Sequence, residues 1–453
     1  MKKYFSSYWI RSAFFSILQR FSVTLFGLIN FIVLIRWSLS KEQMGTWSLF
    51  LAITTIFETT KSGLLKNAHI RYVSTTDETA EKTIIASSSL LINISISIVF
   101  ILLIIFFSGN LSSWLHAGSD LGTTLKWFIP GLICMVFFSH MEAIQQSHLD
   151  FKGVFAGYFV RQIIFFALIM GTALLHIPFS LPWLALYQSA SIAIGTIVIS
   201  LYSRKYIIGR FDPSRVWIKK IFGYGGYIFG SGLLGNIFAS VDQFMVASFK
   251  LSNTWVAYYS AASKLNQVVD IPSYAAAEVI FPKVSQASIN EGREKVRYLY
   301  EKMVAILLAF TIPTAIFVIL FPKFVIILIA GKNYMAAAPI LQMYMITGLL
   351  RPMQNQAANL LNSIGKPRLC FIINGISLGV NLVINYICIS KIGNYGSAVG
   401  TMITCLLGAT CWYFIMRRQI GAILPTMARY IADYYKIFFT YAKGFLAPQP
   451  SGK

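Results

Sequence analysis

Apolar runs of about 20 residues recur along nearly the whole chain, and they constrain its fold more than any other feature. A helix of that length crosses the hydrocarbon core of a bilayer, whereas a strand of a membrane barrel needs only about ten residues of alternating polarity. Hydrophobic residues make up 56% of the chain and charged residues only 12%. Soluble domains carry about 25% charged residues. The sequence therefore predicts an all-α polytopic membrane protein.

Twelve spans can be drawn through these runs. They cover approximately residues 14–35, 44–64, 84–107, 125–147, 154–174, 182–203, 221–247, 255–281, 302–321, 337–361, 369–389 and 396–416. The connections are short, and none is long enough for a soluble catalytic domain. We expect an N-terminal six-helix lobe over residues 1–210, a C-terminal six-helix lobe over 211–418, and a cytoplasmic amphipathic tail over 419–453.

Lys and Arg residues divide unequally between the two faces that these spans define. Twelve spans place both termini on one face, and that face carries 29 Lys and Arg residues against 7 on the other. Cationic residues concentrate in cytoplasmic loops, so the sequence predicts that both termini are cytoplasmic. The net charge of +22 then reflects topology and attraction to anionic lipid, and not binding to nucleic acid.

The two halves of the chain show signs of an internal repeat. An ungapped offset of 212 residues aligns Asn30 with Asp242 and Glu58 with Asp270. Because six spans are an even number, both copies would have the same orientation in the membrane. Parallel repeats predict an approximate two-fold axis along the membrane normal, with a central cleft where access alternates.

Ionisable residues interrupt the seventh and eighth predicted spans. Asp242 lies in span seven, and Lys264, Gln267, Asp270 and Glu278 share one face of span eight. A charge at the middle of a bilayer costs roughly 2.5–3.5 kcal/mol, so such residues usually face a bundle interior or a watery cavity. They could line a substrate path, or they could form an internal ion pair, such as Asp242 with Lys264, that only holds two helices together.

Two further spans contribute polar faces. Span ten carries Arg351, Asn355 and Asn359 on a wide polar face interrupted by Pro352. Span one carries Arg20 about two turns from its cytoplasmic end. Arg20 could face the cleft, or it could extend its side chain to the cytoplasmic headgroups.

Three acidic residues are candidates for binding a coupling proton or sodium ion. They are Asp242, Asp270 and Glu58. Each could instead neutralise a neighbouring cation, and Lys61, three residues after Glu58, is an ordinary helical partner for it.

The sequence predicts no catalytic residue, no cofactor and no metal site. His140, Glu142 and His148 lack the i, i+4 spacing of a helical metal pair. The chain has no glycine-rich phosphate loop and no nucleophile elbow. Its five cysteines lie within apolar runs and form no CxxC pair.

Several segments carry a family resemblance. They are LSKEQMGTWSLF, DQFMVASFKLSNTWVAYYSAASKL, VIFPKVS and GKNYMAAAPILQMY. With the two six-span halves, they resemble bacterial polysaccharide repeat-unit flippases, the O-antigen and capsule exporters of the multidrug/oligosaccharidyl-lipid/polysaccharide (MOP) superfamily. The resemblance implies a V-shaped bundle of two lobes in the bacterial cytoplasmic membrane. It also implies an undecaprenyl-diphosphate-linked oligosaccharide as substrate, with membrane lipid and polysaccharide polymerase machinery as partners.

The resemblance also bears on individual residues. Lys264, in YYSAASKLNQ, matches a basic residue that lines the cavity in the related peptidoglycan-precursor branch. That branch carries more arginines in span one, and it has two additional spans at the C-terminus. The repeat-unit branch is therefore the better match. A diphosphate in a low-dielectric interior needs cations, and sugars need amide partners. The predicted substrate-binding residues are therefore Lys264, Arg351, Arg20, Asn355, Asn359 and Gln267.

Two other functions remain open from the sequence. A proton- or sodium-coupled multidrug extruder of the same fold would use Asp242, Asp270 and Glu58 for cationic cargo. A membrane-embedded glycan polymerase or ligase is disfavoured because such enzymes are expected to have a sizeable extracytoplasmic loop.

Overall fold

The computed structural model describes residues 2–74, 76, 78–207, 211–249, 252–267, 269–270, 291–364 and 366–446. These residues form α-helices joined by short turns. The helices are α1 (Lys2–Val33), α2 (Lys41–Ser74), α3 (Thr79–Trp114), α4 (Gly118–Trp127), α5 (Ile129–Ser147), α6 (Phe151–Leu174), α7 (Leu181–Ser203), α8 (Arg215–Ser248), α9 (253–267, with 269–270 also helical), α10 (Arg293–Leu320), α11 (Pro322–Ala330), α12 (Ala338–Ser363), α13 (Pro367–Ile392), α14 (Gly396–Ile420) and α15 (Leu424–Leu446).

The apolar helices turn much of their surface outward. Among the described residues, six helical segments are long and apolar enough to cross a membrane, and only 22–39% of their most apolar windows is buried. On α3, for example, Phe106 is 71% exposed. Large apolar side chains on an outer surface indicate contact with lipid. The all-α polytopic membrane fold is thus confirmed, whereas the number of twelve spans stays a prediction.

The fourth predicted span is two helices. α4 and α5 meet at Phe128 with a bend of 45°. Taken together, they are long and apolar enough to be a seventh membrane-spanning segment. Pro130 lies in the first turn of α5. Proline has no N–H to donate to a preceding turn and is favoured where a helix begins, so its position accounts for a new helix here.

Several helices are longer than the bilayer requires. α2 has 34 residues, which at about 1.5 Å per residue exceeds the roughly 30 Å of a hydrocarbon core. The predicted span ended near residue 64, but the helix continues to Ser74. The extra turns carry Lys66 and His69, which lie between the second and third predicted spans.

The positions of the helices repeat along the chain. α1, α2 and α3 begin at residues 2, 41 and 79, and α8, α9 and α10 begin at residues 215, 253 and 293. Each later helix follows its counterpart by roughly 212 residues, the offset found in the sequence. The helix boundaries thus support the internal repeat independently of residue identity.

Packing divides the chain into two compact units, Met1–Ser260 and Ala261–Lys453. α8 belongs to the first unit because it packs along α2 and α3. Its Ile221 joins a buried cluster with Leu64, Leu65 and Ala68 of α2 and Ile92 of α3. The division falls within α9, whereas the sequence places the boundary near residue 210. Where the two lobes divide therefore stays a prediction.

Glycines let two helices of the first unit approach closely. A Cβ atom at Gly195 of α7 would lie 2.9 Å from the carbonyl oxygen of Gly157 of α6 and 3.0 Å from the Cβ of Arg161. Close approach at small residues is the usual way in which membrane helices pack, because lipid gives them no hydrophobic driving force for association. The same contact positions the α6 residues that belong to the candidate site.

In the second unit, the last helix packs against α10. Met427 of α15 enters a buried cluster with Val296 and Tyr300 of α10. Further along, the Tyr435 hydroxyl donates to the carbonyl oxygen of Ala309 at 3.0 Å. The described part of the tail is therefore docked on α10, and its assignment as a cytoplasmic amphipathic segment stays a prediction.

Candidate functional site

Arg351 is the centre of a polar cluster in the second unit. Its Nη1 lies 2.5 Å from Oδ2 of Asp270. The amide of Asn266, with its oxygen turned toward the guanidinium, accepts from Nη2 at 2.5 Å and from Nη1 at 2.7 Å. Asp270 is only 6% exposed, whereas Arg351 remains 28% exposed. The ion pair is therefore shielded on its acidic side and partly open on its basic side.

The local sequence of α9 and α12 explains this arrangement. Asn266 and Asp270 are four residues apart on α9, so their side chains point in the same direction. On α12, Gly348 lies one turn before Arg351, and a Cβ atom there would be 3.3 Å from the side-chain amide of Asn266. Glycine thus lets α9 come close enough for its amide and carboxylate to reach the guanidinium.

Pro352 lies inside α12, directly after Arg351. Proline cannot donate to the carbonyl group four residues earlier, so the carbonyl of Gly348 loses its usual helical partner. In a membrane, such freed backbone groups are normally satisfied by neighbouring helices or by water in a cavity. The Arg351 cluster therefore lies where α12 lacks one of its internal backbone hydrogen bonds.

The other predicted substrate-binding residues of the second unit lie near this cluster in sequence. Lys264 and Gln267 are one turn apart on α9, and Lys264 Nζ is 3.5 Å from Gln267 Oε1. Within the described residues of the second unit, no carboxylate forms a salt bridge with Lys264. Asn355 and Asn359 are half-buried on α12, one and two turns after Arg351.

The predicted site residues of the first unit are dispersed over three helices. Arg20 is exposed on α1, and Asp242 is buried on α8. Glu58 of α2 pairs with Lys61 at 3.5 Å, as the i, i+3 spacing predicts. The pairing of Asp242 with Lys264 would join residues of different units and stays a prediction. Glu278 lies outside the described residues.

A second polar cluster, in the first unit, surrounds Glu142 of α5. This carboxylate is 6% exposed. It accepts from Lys66 Nζ at 2.7 Å and from Gln146 Nε2 and the Tyr158 hydroxyl, each at 3.1 Å. Three donors from α2, α5 and α6 thus compensate one buried negative charge, which an apolar interior would otherwise strongly disfavour.

Arg161 brings a second cation to the same region. Its guanidinium lies 5.8 Å from the ring centroid of Phe138 and interacts electrostatically with both Glu142 and Glu58. Lys61 is a further cation of this region, and its side chain is only 2% exposed. The interior of the first unit is therefore a network of buried charges of both signs.

Sequence reasoning did not identify this network. Lys61, Lys66 and Arg161 are among the 29 Lys and Arg residues of the predicted cytoplasmic face. The excess of Lys and Arg on that face remains when these three residues are left out of the tally. Arg161 did carry a signal, because it lies within an apolar run of the fifth predicted span. In the sequence, Glu142 is a candidate only for a metal site with His140 and His148. The described residues contain no group of three or more His, Cys, Asp or Glu arranged to hold a metal ion.

Comparison with known proteins gives the family of the chain. The sequence profile of the family described as "Polysaccharide biosynthesis protein" matches residues 33–339, more than half of the chain. A membrane protein of the cps region of Klebsiella pneumoniae is 23% identical over 439 residues, which is 95% of this chain and 85% of that protein.

Two archaeal relatives match over shorter stretches. A membrane protein of Methanocaldococcus jannaschii is 26% identical over 212 residues, covering 46% of this chain and 41% of that protein. A Haloferax volcanii protein named for a flippase role in low-salt glycan biosynthesis is 23% identical over 51% of this chain and 46% of that protein. The chain thus spans less than half the length of these two relatives.

Two solved structures share the fold over nearly the whole chain. The lipid II flippase MurJ, in an inward closed conformation, superposes with a TM-score of 0.76 at 17% identity, covering 97% of this chain and 94% of that one. An inward-facing multidrug resistance transporter of the MATE family also gives 0.76, at 16% identity, covering 88% and 94%. The chain therefore belongs to the polysaccharide biosynthesis protein family and has the fold of MOP-superfamily transporters.

Proposed function

We propose that the protein is a lipid-linked oligosaccharide flippase. Its substrate would be an undecaprenyl-diphosphate-linked repeat unit, moved by alternating access from the cytoplasmic to the outer leaflet of the bacterial cytoplasmic membrane. Family membership supports a role in polysaccharide biosynthesis. The names of relatives and of one structural neighbour support a flippase over other membrane functions.

The observation that carries the proposal is the partly open ion pair of Arg351 and Asp270. Guanidinium is the side-chain group that best matches a phosphate, because its N–H groups donate in a planar fork. Two of its nitrogens are already engaged by Asp270 and Asn266. The Arg351 side chain is 28% exposed, so a diphosphate can approach it and compete with Asp270 for the guanidinium.

This competition gives Asp270 a role in the transport cycle. With the site empty, Asp270 compensates the charge of Arg351. With the diphosphate bound, the carboxylate loses its partner and becomes the group that takes up a proton or a sodium ion. Lys264 supplies a second cation from α9. Asn355, Asn359 and Gln267 offer amides to the sugars, and Arg20 assists from α1.

A multidrug extruder is the second candidate, because the MATE transporter matches the fold as well as MurJ does. Such an extruder would use carboxylates for cationic cargo. In this chain Asp270 is paired with Arg351, and Glu58 with Lys61. A cationic drug would have to displace an internal cation in both places. The occupied carboxylates therefore favour an anionic substrate.

Export of surface polysaccharide tests the proposal directly. The gene would be deleted from its own strain and replaced with Arg351→Ala, Arg351→Lys or the double variant Arg351→Ala/Asp270→Ala. Losing one charge-assisted contact in a desolvated site costs about 1.5–3 kcal/mol, or about one to two orders of magnitude in affinity. We expect Arg351→Ala to reduce export at least tenfold at normal membrane abundance, and Arg351→Lys to restore it only partly.

Two comparisons separate substrate binding from a structural ion pair. Arg368→Ala changes an exposed arginine at the start of α13 and should leave export unchanged. If the pair is only structural, Arg351→Ala should lower membrane abundance by stranding Asp270, and the double variant should restore both abundance and export. Wild-type export by the double variant would contradict the proposal.

A further inference from the structure

A cavity of about 280 Å³ opens at one end of the first unit. It lies among the last turns of α2, the first turns of α3, the end of α5 and the segment that follows α7. In the predicted topology this end is cytoplasmic. The walls combine polar and apolar side chains.

Two deeply buried histidines line the cavity. His69 and His140 have ring centroids 5.7 Å apart in an edge-to-face arrangement. His69 is 1% exposed, and its Nδ1 has no hydrogen-bond partner within the described part of the chain. A buried polar atom without a partner costs about 1–3 kcal/mol. The imidazoles of His69 and His140 therefore give the cavity a polar wall.

The remaining polar groups favour an anion. Lys82 lines the cavity, and among the described residues it has no carboxylate within salt-bridge distance. The first turn of α3, with Thr79, lines it too, and Glu78 at the start of that helix makes no side-chain cap. Free N–H groups at a helix N-terminus attract negative charge. No described Asp or Glu lines the cavity, although Glu81 belongs to the same turn.

The apolar part of the wall decides which anion fits. Val73, Leu90, Ile144 and Phe211 line the cavity beside the polar groups. A small hydrophilic anion would leave these side chains without a matching surface. A lipid offers a phosphate and an apolar part in the same molecule. The volume is just below the range of drug-sized pockets, which suits a headgroup and not a whole oligosaccharide.

We propose that this cavity binds the phosphate group of an anionic membrane lipid. Lys82 and the first turn of α3 hold the phosphate, His69 and His140 donate from the deep wall, and the apolar residues contact the glycerol and the start of the acyl chains. Basic pockets between helices on the cytoplasmic side of membrane proteins are suited to acidic headgroups. The site is separate from the Arg351 cluster and does not depend on the transported substrate.

Native mass spectrometry of the purified full-length protein tests this site. Phosphatidylglycerol and zwitterionic phosphatidylcholine would be added separately to delipidated protein. Lys82→Gln removes the cation, and Ala86→Met fills the cavity without changing its charge. We expect preferential retention of phosphatidylglycerol and an approximately tenfold lower affinity for it in each variant. Lys126→Gln, at an exposed lysine of α4, is the matched control and should bind as the wild type does.

Equilibrium dialysis with labelled inorganic phosphate distinguishes the two possible sources of the phosphate. Retention of phosphatidylglycerol that both variants weaken supports the proposal. Lys82-dependent binding of inorganic phosphate without retention of phosphatidylglycerol would assign the site to a soluble phosphate and overturn the lipid assignment. Equal retention of the two lipids, or unchanged phosphatidylglycerol binding in either variant, would overturn the proposal entirely.

Discussion

Two buried carboxylates, one in each unit, are compensated by donors from neighbouring helices and, for Glu142, also by one from its own helix. Glu142 receives three donors and Asp270 receives the Arg351 guanidinium. Removing one partner of a buried pair is usually more damaging than never having had the pair, because an uncompensated charge stays behind. A single substitution at either position therefore measures two effects together: the loss of the residue and the cost of leaving its partner's charge uncompensated.

The pair of Glu142 and Lys66 gives a prediction at this scale. We expect Glu142→Gln to lower the free energy of unfolding by about 1–3 kcal/mol, because Lys66 and Tyr158 lose their charged acceptor. In a Lys66→Met background the same change should cost less, since the cation is already absent. Thermal unfolding of the four proteins in detergent measures the coupling. Additive effects of the two substitutions would show that the 2.7 Å contact contributes nothing.

Residue faces could be predicted from the sequence more reliably than residue partners. The helical period alone places Lys264, Gln267 and Asp270 on one side of α9. That Asp270 meets Arg351, 81 residues later, depends on how two helices pack. The sequence offered several cations for that carboxylate. The close approach of α9 and α12 at Gly348 brings Arg351 to it.

At the scale of helices, the apolar runs predicted where helices lie but not where they end. Hydrophobicity reports the part of a helix that lies in lipid. α2 continues to Ser74 as a polar helix packed on α3 and α8, where composition no longer distinguishes helix from loop. Lys66, which contacts Glu142, lies in these turns beyond the end of the predicted span, so hydropathy does not indicate this contact. Pro130, in the first turn of α5, accounts for the break between α4 and α5.

The contact between α6 and α7 gives a prediction about helix packing. Gly195→Ala would place a methyl group 2.9 Å from the Gly157 carbonyl oxygen, so the two helices must separate. Overpacking of this kind typically costs about 1–3 kcal/mol. Gly171→Ala is the matched control, because a Cβ there has nothing within 4 Å.

We expect Gly195→Ala to lower the midpoint of thermal unfolding, and Gly171→Ala to leave it unchanged or raise it slightly, since alanine favours helix over glycine. Equal midpoints for the two variants would show that α6 and α7 do not need the close approach. Measuring both proteins in the same detergent removes differences due to the micelle.

For the whole molecule, the unequal distribution of cations predicts the topology. With both termini cytoplasmic, a reporter fused after Gly118 should lie outside the cytoplasm and one fused after Pro213 should lie inside. Paired fusions of alkaline phosphatase and a cytoplasmic fluorescent protein measure the two positions. A cytoplasmic signal after Gly118, or an external signal after Pro213, would invalidate both the topology and the parallel repeat.

Coupling to an ion gradient is the prediction that involves the molecule as a whole, because the ion and the substrate must bind in different states of one transport cycle. If the diphosphate displaces Asp270 from Arg351, the freed carboxylate takes up a cation, and a proton or sodium gradient can then bias the cycle. We expect substrate movement in reconstituted vesicles to depend on one of these gradients. Asp270→Asn should weaken that dependence, because an amide cannot alternate between Arg351 and an ion. Asp242→Asn and Glu58→Gln, made separately, show whether the other two acidic residues share the role. Transport that ignores both gradients, or a dependence that Asp270→Asn leaves unchanged, would remove Asp270 from the coupling step while leaving the binding role of Arg351 to its own test.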